Sequence, residues 1–448
     1  MIRSRSILLV LSCFPSALMA QGGEWPTLSG AGIEYLSQSG FFQVSLSGQL
    51  DLETLHVRES WSGLVARGEG EAPLPVDREP CAVCHVGMGL RGDGGALPVY
   101  RLRMFADIFL GDHIYSLVEG RSDRGHAPSD DGAVARVEQA YVRITSQSGS
   151  AGVQAGRFAS PFGSYPLRHL TTVDPFLRPP LSYDYRTTLS RGVVPRNTAL
   201  LLEWKHAAEF FRKPGAPPVW DVPYQWGAMV FGAVGPVDLR VAAMNSAPSS
   251  TPEVWGFDKE RLEDPSWVIA ARTAVSPYVD LGFSYSRGPW MEEITAGTIQ
   301  PLPGAPAGTE PPSHRDFDQE IISVDITFAR GPMMLRAEAM LDHWAVPNLV
   351  ERPTERLYSV EVLWDLVPGL FVAGRVGHID FRPLDDGLGA ASPTGPVDWD
   401  NDVMRYEASL GYRLARNTGI LLSAYEQIQS NEVDADSRFA GIRWWWAF

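Results

Sequence analysis

Cys81-Ala82-Val83-Cys84-His85 puts two thiols and an imidazole at the spacing that attaches a haem covalently. The chemistry sets the spacing: the thiols add to the two vinyl groups along one porphyrin edge, and the adjacent imidazole reaches the iron. The same pentapeptide could also close a tight disulfide loop or supply half of a zinc site. Cysteine usage argues against both. Cys13 falls within a leader-like segment, so Cys81 and Cys84 are the remaining thiols, and a structural zinc would want two more soft ligands. A disulfide across two residues closes too short a loop to add much stability. The motif therefore predicts one covalent haem c, with Cys81 and Cys84 as thioethers and His85 as the proximal ligand.

The distal ligand is open. Met88 stands only three residues beyond His85, too close to swing to the opposite haem face, and His113 sits in a predicted tight turn. His126 and His169 fall in predicted long connections on the haem side, which makes them the candidates. Either one taken alone is more often a solvated loop histidine than a ligand.

Upstream of the motif, residues 1 to 20 read as an export leader. Arg3 and Arg5 form a basic start, Ile7 to Leu11 a short apolar core, and Leu18-Met19-Ala20 ends on the small residue that cleavage needs. Val10-Leu11-Ser12-Cys13 also has lipobox character, but the apolar run before it is short. Export would deliver the chain to the compartment where haem is ligated to such motifs. Losing Arg3 and Arg5 takes the formal charge from -15 to -17, a poor balance for binding nucleic acid. No apolar run of eighteen residues remains, which excludes a transmembrane helix and leaves a β-barrel open.

Alternation of apolar and polar residues supports strands. Phe42, Val44, Leu46, Leu50 and Leu52 oppose Gln43, Ser45, Gln49, Asp51 and Glu53. Tyr100 to Leu110, Ile322 to Phe328 and Met404 to Leu414 repeat the pattern. A soluble sandwich alternates as well, so rhythm must decide. Short turns fall at Gly111-Asp112, Gln147 to Ser150, Gly235-Pro236, Ser276-Pro277, Gly331-Pro332, Pro368-Gly369 and Arg416-Asn417. Between them lie long segments at 58 to 97, 122 to 132, 159 to 222, 246 to 264, 288 to 317, 345 to 355 and 383 to 401. Strictly alternating short and long connections are the signature of an outer-membrane barrel, here of about 16 strands. Segment 159 to 222 is ambiguous, because Ala199 to Trp204 and Phe210-Phe211 fit another hairpin, a constriction loop or a short helix, and a hairpin would make about 18 strands.

The last strand carries a second signal. In Arg438 to Phe448, Ile442, Trp444, Trp446 and Phe448 share one face, which suits an aromatic girdle at a lipid interface. It resembles the recognition strand of bacterial outer-membrane barrels. The expected division is a leader at 1 to 20, an N-terminal segment at 21 to 40, and a barrel at 41 to 448 with 58 to 97 as a haem-binding loop after the first strand.

Two resemblances follow from these residues. Gly156-Arg157-Phe158-Ala159-Ser160-Pro161-Phe162-Gly163 resembles the G-x-F-x-x-P-F-G segment of phosphate-selective and related porins, over about ten residues. The whole layout is similar to the fused monohaem cytochrome-porins of the outer membrane, which include iron oxidases. That resemblance implies electron transfer between an extracellular donor, typically Fe(II), and a periplasmic cytochrome. In that family the haem segment precedes the barrel, whereas here a full strand precedes Cys81. Parity then puts the haem outside, in the first external connection. The apolar band of such barrels is about 25 Å tall, so one external haem needs a partner cytochrome from below or a seat deep in the lumen.

Charge adds one more clue. Asp130-Asp131, Asp385-Asp386, Asp398, Asp400, Asp402, Glu432, Asp434 and Asp436 crowd the predicted external segments, where they would gather cations or simply keep the surface soluble. Arg168, Arg178, Arg186, Arg191 and Arg196 would line a constriction or pair with lumen acids. No Ser-His-Asp order, phosphate loop or carboxylate pair indicates hydrolysis, so any enzymatic role is oxidoreductase-type electron transfer. The sequence thus predicts an all-β outer-membrane barrel carrying one haem c, embedded in lipid and passing electrons from an external donor such as Fe(II). Its alternatives are a passive diffusion porin without haem and a soluble periplasmic haem β-protein.

Overall fold

A computed structural model describes residues 33–58, 84–85, 88–89, 96–124, 134–204, 215–251, 255, 262–292, 299, 306, 308, 310–385, 396–430 and 437–448. The chain opens with β1 (Ile33–Leu36) and β2 (Phe42–Arg58), then a short ladder of β3 (Cys84–His85) and β4 (Met88–Gly89). Long strands follow: β5 (Ala96–Leu110), β6 (Ile114–Arg124), β7 (Val134–Thr145) and β8 (Ala151–Ala159). After the longest connection come β9 (Tyr224–Val234), β10 (Val237–Met244), β11 (Ser266–Ser276), β12 (Val279–Pro289), β13 (Asp318–Arg330) and β14 (Met333–Trp344). The chain continues through β15 (Thr354–Val367), β16 (Leu370–Phe381) and a small ladder of β17 (Pro383–Leu384) with β18 (Val397–Asp398). It finishes with β19 (Val403–Ala415), β20 (Thr418–Gln429) and β21 (Ser437–Ala447).

Each long strand pairs antiparallel with the next, and β2 pairs with β21, so the sheet closes on itself as a 16-strand barrel with β1 as an extra strand. All seven expected short turns join neighbouring strands at one end, while the long connections gather at the other. The tight turns are possible because glycine tolerates positive φ, as at Gly235 and Gly331 with φ near +61° and +59°. Among the described residues no helix is long and apolar enough to cross a membrane.

Burial explains why the strands assemble this way. Alternate side chains face out, and the outward set is apolar: Val324, Ile326, Tyr406, Leu410, Tyr412 and Trp444 all remain exposed. The inward set is polar or charged, with Ser323, Arg405, Glu407, Arg443 and Glu53 buried. A soluble β-protein does the reverse, because exposing so much apolar surface to water costs about 25 cal/mol per Å². Such an exterior suits lipid, and the soluble periplasmic alternative fails on it.

Within the N-terminal segment, Ile33–Leu36 pair with Leu46–Gln43 of β2. There β2 runs on past the end of β21, and β1 covers an edge that would otherwise be left unpaired. The 18-strand alternative is also excluded. β8 pairs directly with β9 from Ala159↔Tyr224 to Ala151↔Gly232, leaving no room for a hairpin between them.

Candidate functional site

Cys84 and His85 belong to the connection between β2 and β5, whose two roots, Arg58 and Ala96, stand at the end of the barrel opposite the tight turns. Cys81 lies outside the described residues. The backbone of Cys84 and His85 pairs with Gly89 and Met88 in the small β3–β4 ladder. Two thiols and one imidazole are the donor set a c-type haem requires, and in that chemistry the residues fit the group. Among the described residues no cluster of three His, Cys, Asp or Glu side chains could hold a metal ion. His126 lies outside the described residues.

His169 belongs to the segment between β8 and β9, which folds into the barrel. This segment includes a 3-10 turn at Tyr165–Leu167, the short α1 (Leu181–Asp184) and α2 (Thr198–Trp204). Phe210-Phe211 of the ambiguous stretch lies outside the described residues. His169 is buried, and its Nδ1 lies 2.8 Å from the carbonyl of Pro166 while Nε2 lies 2.9 Å from the Tyr224 hydroxyl. Burial, and then the Arg103 guanidinium, hold the imidazole well below its usual range, so the ring is neutral. A carbonyl only accepts, so Nδ1 donates to Pro166 and Nε2 accepts from Tyr224. The lone pair that would bind iron is the one that Tyr224 occupies, so iron ligation would require exchanging that bond.

The wall grips the inserted segment nearly all the way round. Ser284 of β12 accepts from the Gly163 N–H at 2.9 Å, and Glu338 of β14 accepts from Ser164 N–H and from the Tyr183 hydroxyl. Arg375 of β16 donates to the carbonyl of Arg178 at 2.6 Å, and Arg443 of β21 donates to the carbonyls of Phe176 and Leu177. Thr171 donates to Asp51 of β2 at 2.8 Å. Close packing needs the absence of a side chain at Gly377, where a Cβ would stand 2.8 Å from that of Leu181.

Charge is matched across this contact. Arg168 reaches Glu361 of β15 at 3.0 Å, and the same carboxylate takes Arg336 at 2.6 Å. Asp184 takes both Arg178 and Arg405 of β19, at 2.5 and 2.7 Å. The expected pairing of Arg168 and Arg178 with acids inside the barrel is present. Arg186 instead lies over the Trp220 ring at 4.3 Å, and Arg191 pairs with Glu292 at 3.1 Å. The acidic crowding at the long-connection end is partly structural: Asp400 is buried and accepts from the Thr188 N–H, and Asp402 accepts from the Phe381 N–H. Asp400 thereby holds the insert and Asp402 the wall.

Sequence reasoning did not single out Glu361, Arg375, Arg405, Glu407 or Arg443, which do much of the holding. Each is a charged residue at an inward position of an alternating strand, a signal that was readable. Their hydrogen-bonding partners, 22 to 390 residues away, were not.

No family model matches this chain, and no curated protein matches it. Among solved structures it is similar to an anion-selective porin from Comamonas acidovorans, with a TM-score of 0.52 and 9% identity over 91% of this chain and 100% of that one. It is also similar to the outer membrane channel DcaP of Acinetobacter baumannii, with a TM-score of 0.50 and 13% identity over 92% of this chain and 99% of that one. At such identities the likeness is one of fold: a porin-like barrel.

Proposed function

We propose that this outer-membrane barrel carries one covalent haem c on the connection between β2 and β5 and passes electrons between a donor outside the cell and a periplasmic cytochrome. The observation that carries the reading is Cys81-Ala82-Val83-Cys84-His85 on a connection rooted at the end opposite the tight turns. Tight turns face the periplasm in barrels of this type, which supports an external position for the motif. Cys81 and Cys84 would hold the haem by thioethers and His85 by its iron, with the distal position open to His126 or His169. The group, when bound, supplies a one-electron ferric and ferrous couple.

The chain's own residues shape what reaches that group. The buried segment from β8 to β9 packs the lumen with side chains and ion pairs, which favours electron passage over bulk diffusion. Fe(II) is the donor that the layout suggests, as a substrate arriving from solution.

A second reading has its own support. The barrel shares its fold with porins, and a passive channel without haem fits that likeness equally well. Denaturing electrophoresis with haem peroxidase staining separates the two. The wild-type band from a host with working cytochrome c maturation should stain, and Cys84→Ala should abolish the stain without changing the heat-shift of the barrel. An unstained wild type establishes the passive channel instead.

A further inference from the structure

Most buried acids of the lumen face an arginine: Glu53 meets Arg443, Glu407 meets Arg375, and Asp184 meets Arg178. Asp342 of β14 and Glu355 of β15 do not. They stand directly opposite each other across the two strands, inward, and neither has any solvent exposure. Their next neighbours in the same row are apolar, Ile321 on β13 and Phe381 on β16. Like charges in directly opposed cross-strand positions repel.

Among the described residues no cation pairs with either acid. Glu355 accepts from the Trp344 indole N–H at 2.8 and 3.0 Å, and Asp342 Oδ2 accepts from the Gln319 amide at 2.7 Å. Asp342 Oδ1 has no close geometric partner, and around this carboxyl stand the His343 backbone N–H and the Glu355 carboxyl, which is within hydrogen-bonding reach and can donate when protonated. A further acid, Asp400, bears on Glu355 and adds to the repulsion. His343, Arg356 and Asp380 belong to the same strands but occupy the outward positions, where Arg356 pairs with Asp380. Two bare carboxylates cannot be held together in such a place, whereas a carboxylic acid donating to a carboxylate can.

The pair is wired to the inserted segment. The Gln319 amide that donates to Asp342 also donates to the carbonyl of Pro218 at 2.7 Å, and its oxygen accepts from the Ser249 N–H. A change at Asp342 is thus felt by the insert through one side chain.

We propose that Asp342 and Glu355 share a single proton and act through Gln319 as a pH-dependent latch that keeps the insert against the β13–β15 wall. Loss of that proton leaves two adjacent negative charges, which draw water between insert and wall and admit ions to the lumen. The latch holds below the pH at which the pair loses its shared proton and opens above it. This inference rests on the filled lumen and is independent of the haem.

The test uses the refolded full chain in planar lipid bilayers, on an Asp174→Asn background that removes another titrating carboxyl of the insert. Conductance should rise severalfold as the pH is taken from neutral into the alkaline range, where two opposed buried carboxyls give up their last proton. In the Asp342→Asn, Glu355→Gln double variant, whose amides cannot ionise, the alkaline rise should disappear. A double variant that opens at the same pH as its parent, or a parent that never opens, overturns the proposal. If the double variant fails to fold, infrared spectroscopy of the parent decides. A carbonyl stretch of a protonated carboxylic acid should vanish together with the alkaline opening, and its absence at neutral pH refutes the shared proton. Haem staining is unaffected in either case, so failure here leaves the electron-transfer reading standing.

Discussion

At the scale of single residues, Glu361 and Gly48 show how the lumen and the seam are held. Glu361 is buried and receives Arg168 from the insert and Arg336 from β14, with Arg375 3.8 Å away. Removing one partner of a buried ion pair leaves uncompensated charge and costs about 3–5 kcal/mol. Glu361→Ala, with three guanidiniums left facing one another, should therefore lower the temperature at which the folded band converts to the unfolded one on a gel. Conversion at the wild-type temperature would show that water compensates the charge. Gly48 exchanges both backbone hydrogen bonds with Phe448, at 2.7 and 2.8 Å, and the Phe448 ring lies over it. A Cβ there would stand 2.5 Å from the ring. Gly48→Val should displace the ring and cost about 1–3 kcal/mol, the usual range for overpacking. An unchanged yield of folded barrel would argue against a role for this contact in closing the seam.

At the scale of elements, the insert between β8 and β9 is the one whose behaviour depends on pH. Asp174 within it is raised to about 6 by burial, against the pull of Arg375 and Arg168. A carboxyl raised above its unfolded value favours the folded state while protonated, so its stabilising effect is present at low pH and is lost as pH rises towards about 6. The effect is on the order of 2–3 kcal/mol, because each tenfold change in proton affinity is worth about 1.4 kcal/mol. Protease resistance of the insert in the folded barrel should fall between about pH 4 and pH 6, the interval between the unfolded and folded proton affinities of this carboxyl. Asp174→Asn should flatten that dependence, and a variant that keeps it would place the titration elsewhere.

For the molecule as a whole, the wall and its contents are separable. The insert leaves from Ala159 and returns at Tyr224, two residues already paired across β8 and β9, so the barrel closes without it. Replacing residues 161 to 222 by a short Gly/Ser turn should give a barrel that still shows a heat-shift and conducts far more than the intact chain in planar bilayers. If conductance does not change, the insert is not what fills the lumen. Haem staining should survive the replacement, since Cys81, Cys84 and His85 belong to a different connection.

The sequence by itself determined the wall. Strand period, the seven turns and the outward aromatic face of β21 are local properties, set by residues one to four positions apart, and the proposal of a haem rests on an equally local motif, Cys81 to His85. The chain from Pro161 to Val222 has no such period, so its place could not be read locally. Whether it formed two more strands or filled the barrel depended on contacts such as Arg375 with Arg178 and Gln319 with Pro218, which join residues about a hundred or more positions apart. The unpaired acids Asp342 and Glu355 stand 13 positions apart and look ordinary in the sequence. Only the register of β14 against β15 sets them face to face, because a shift of one residue would turn one of the two outward.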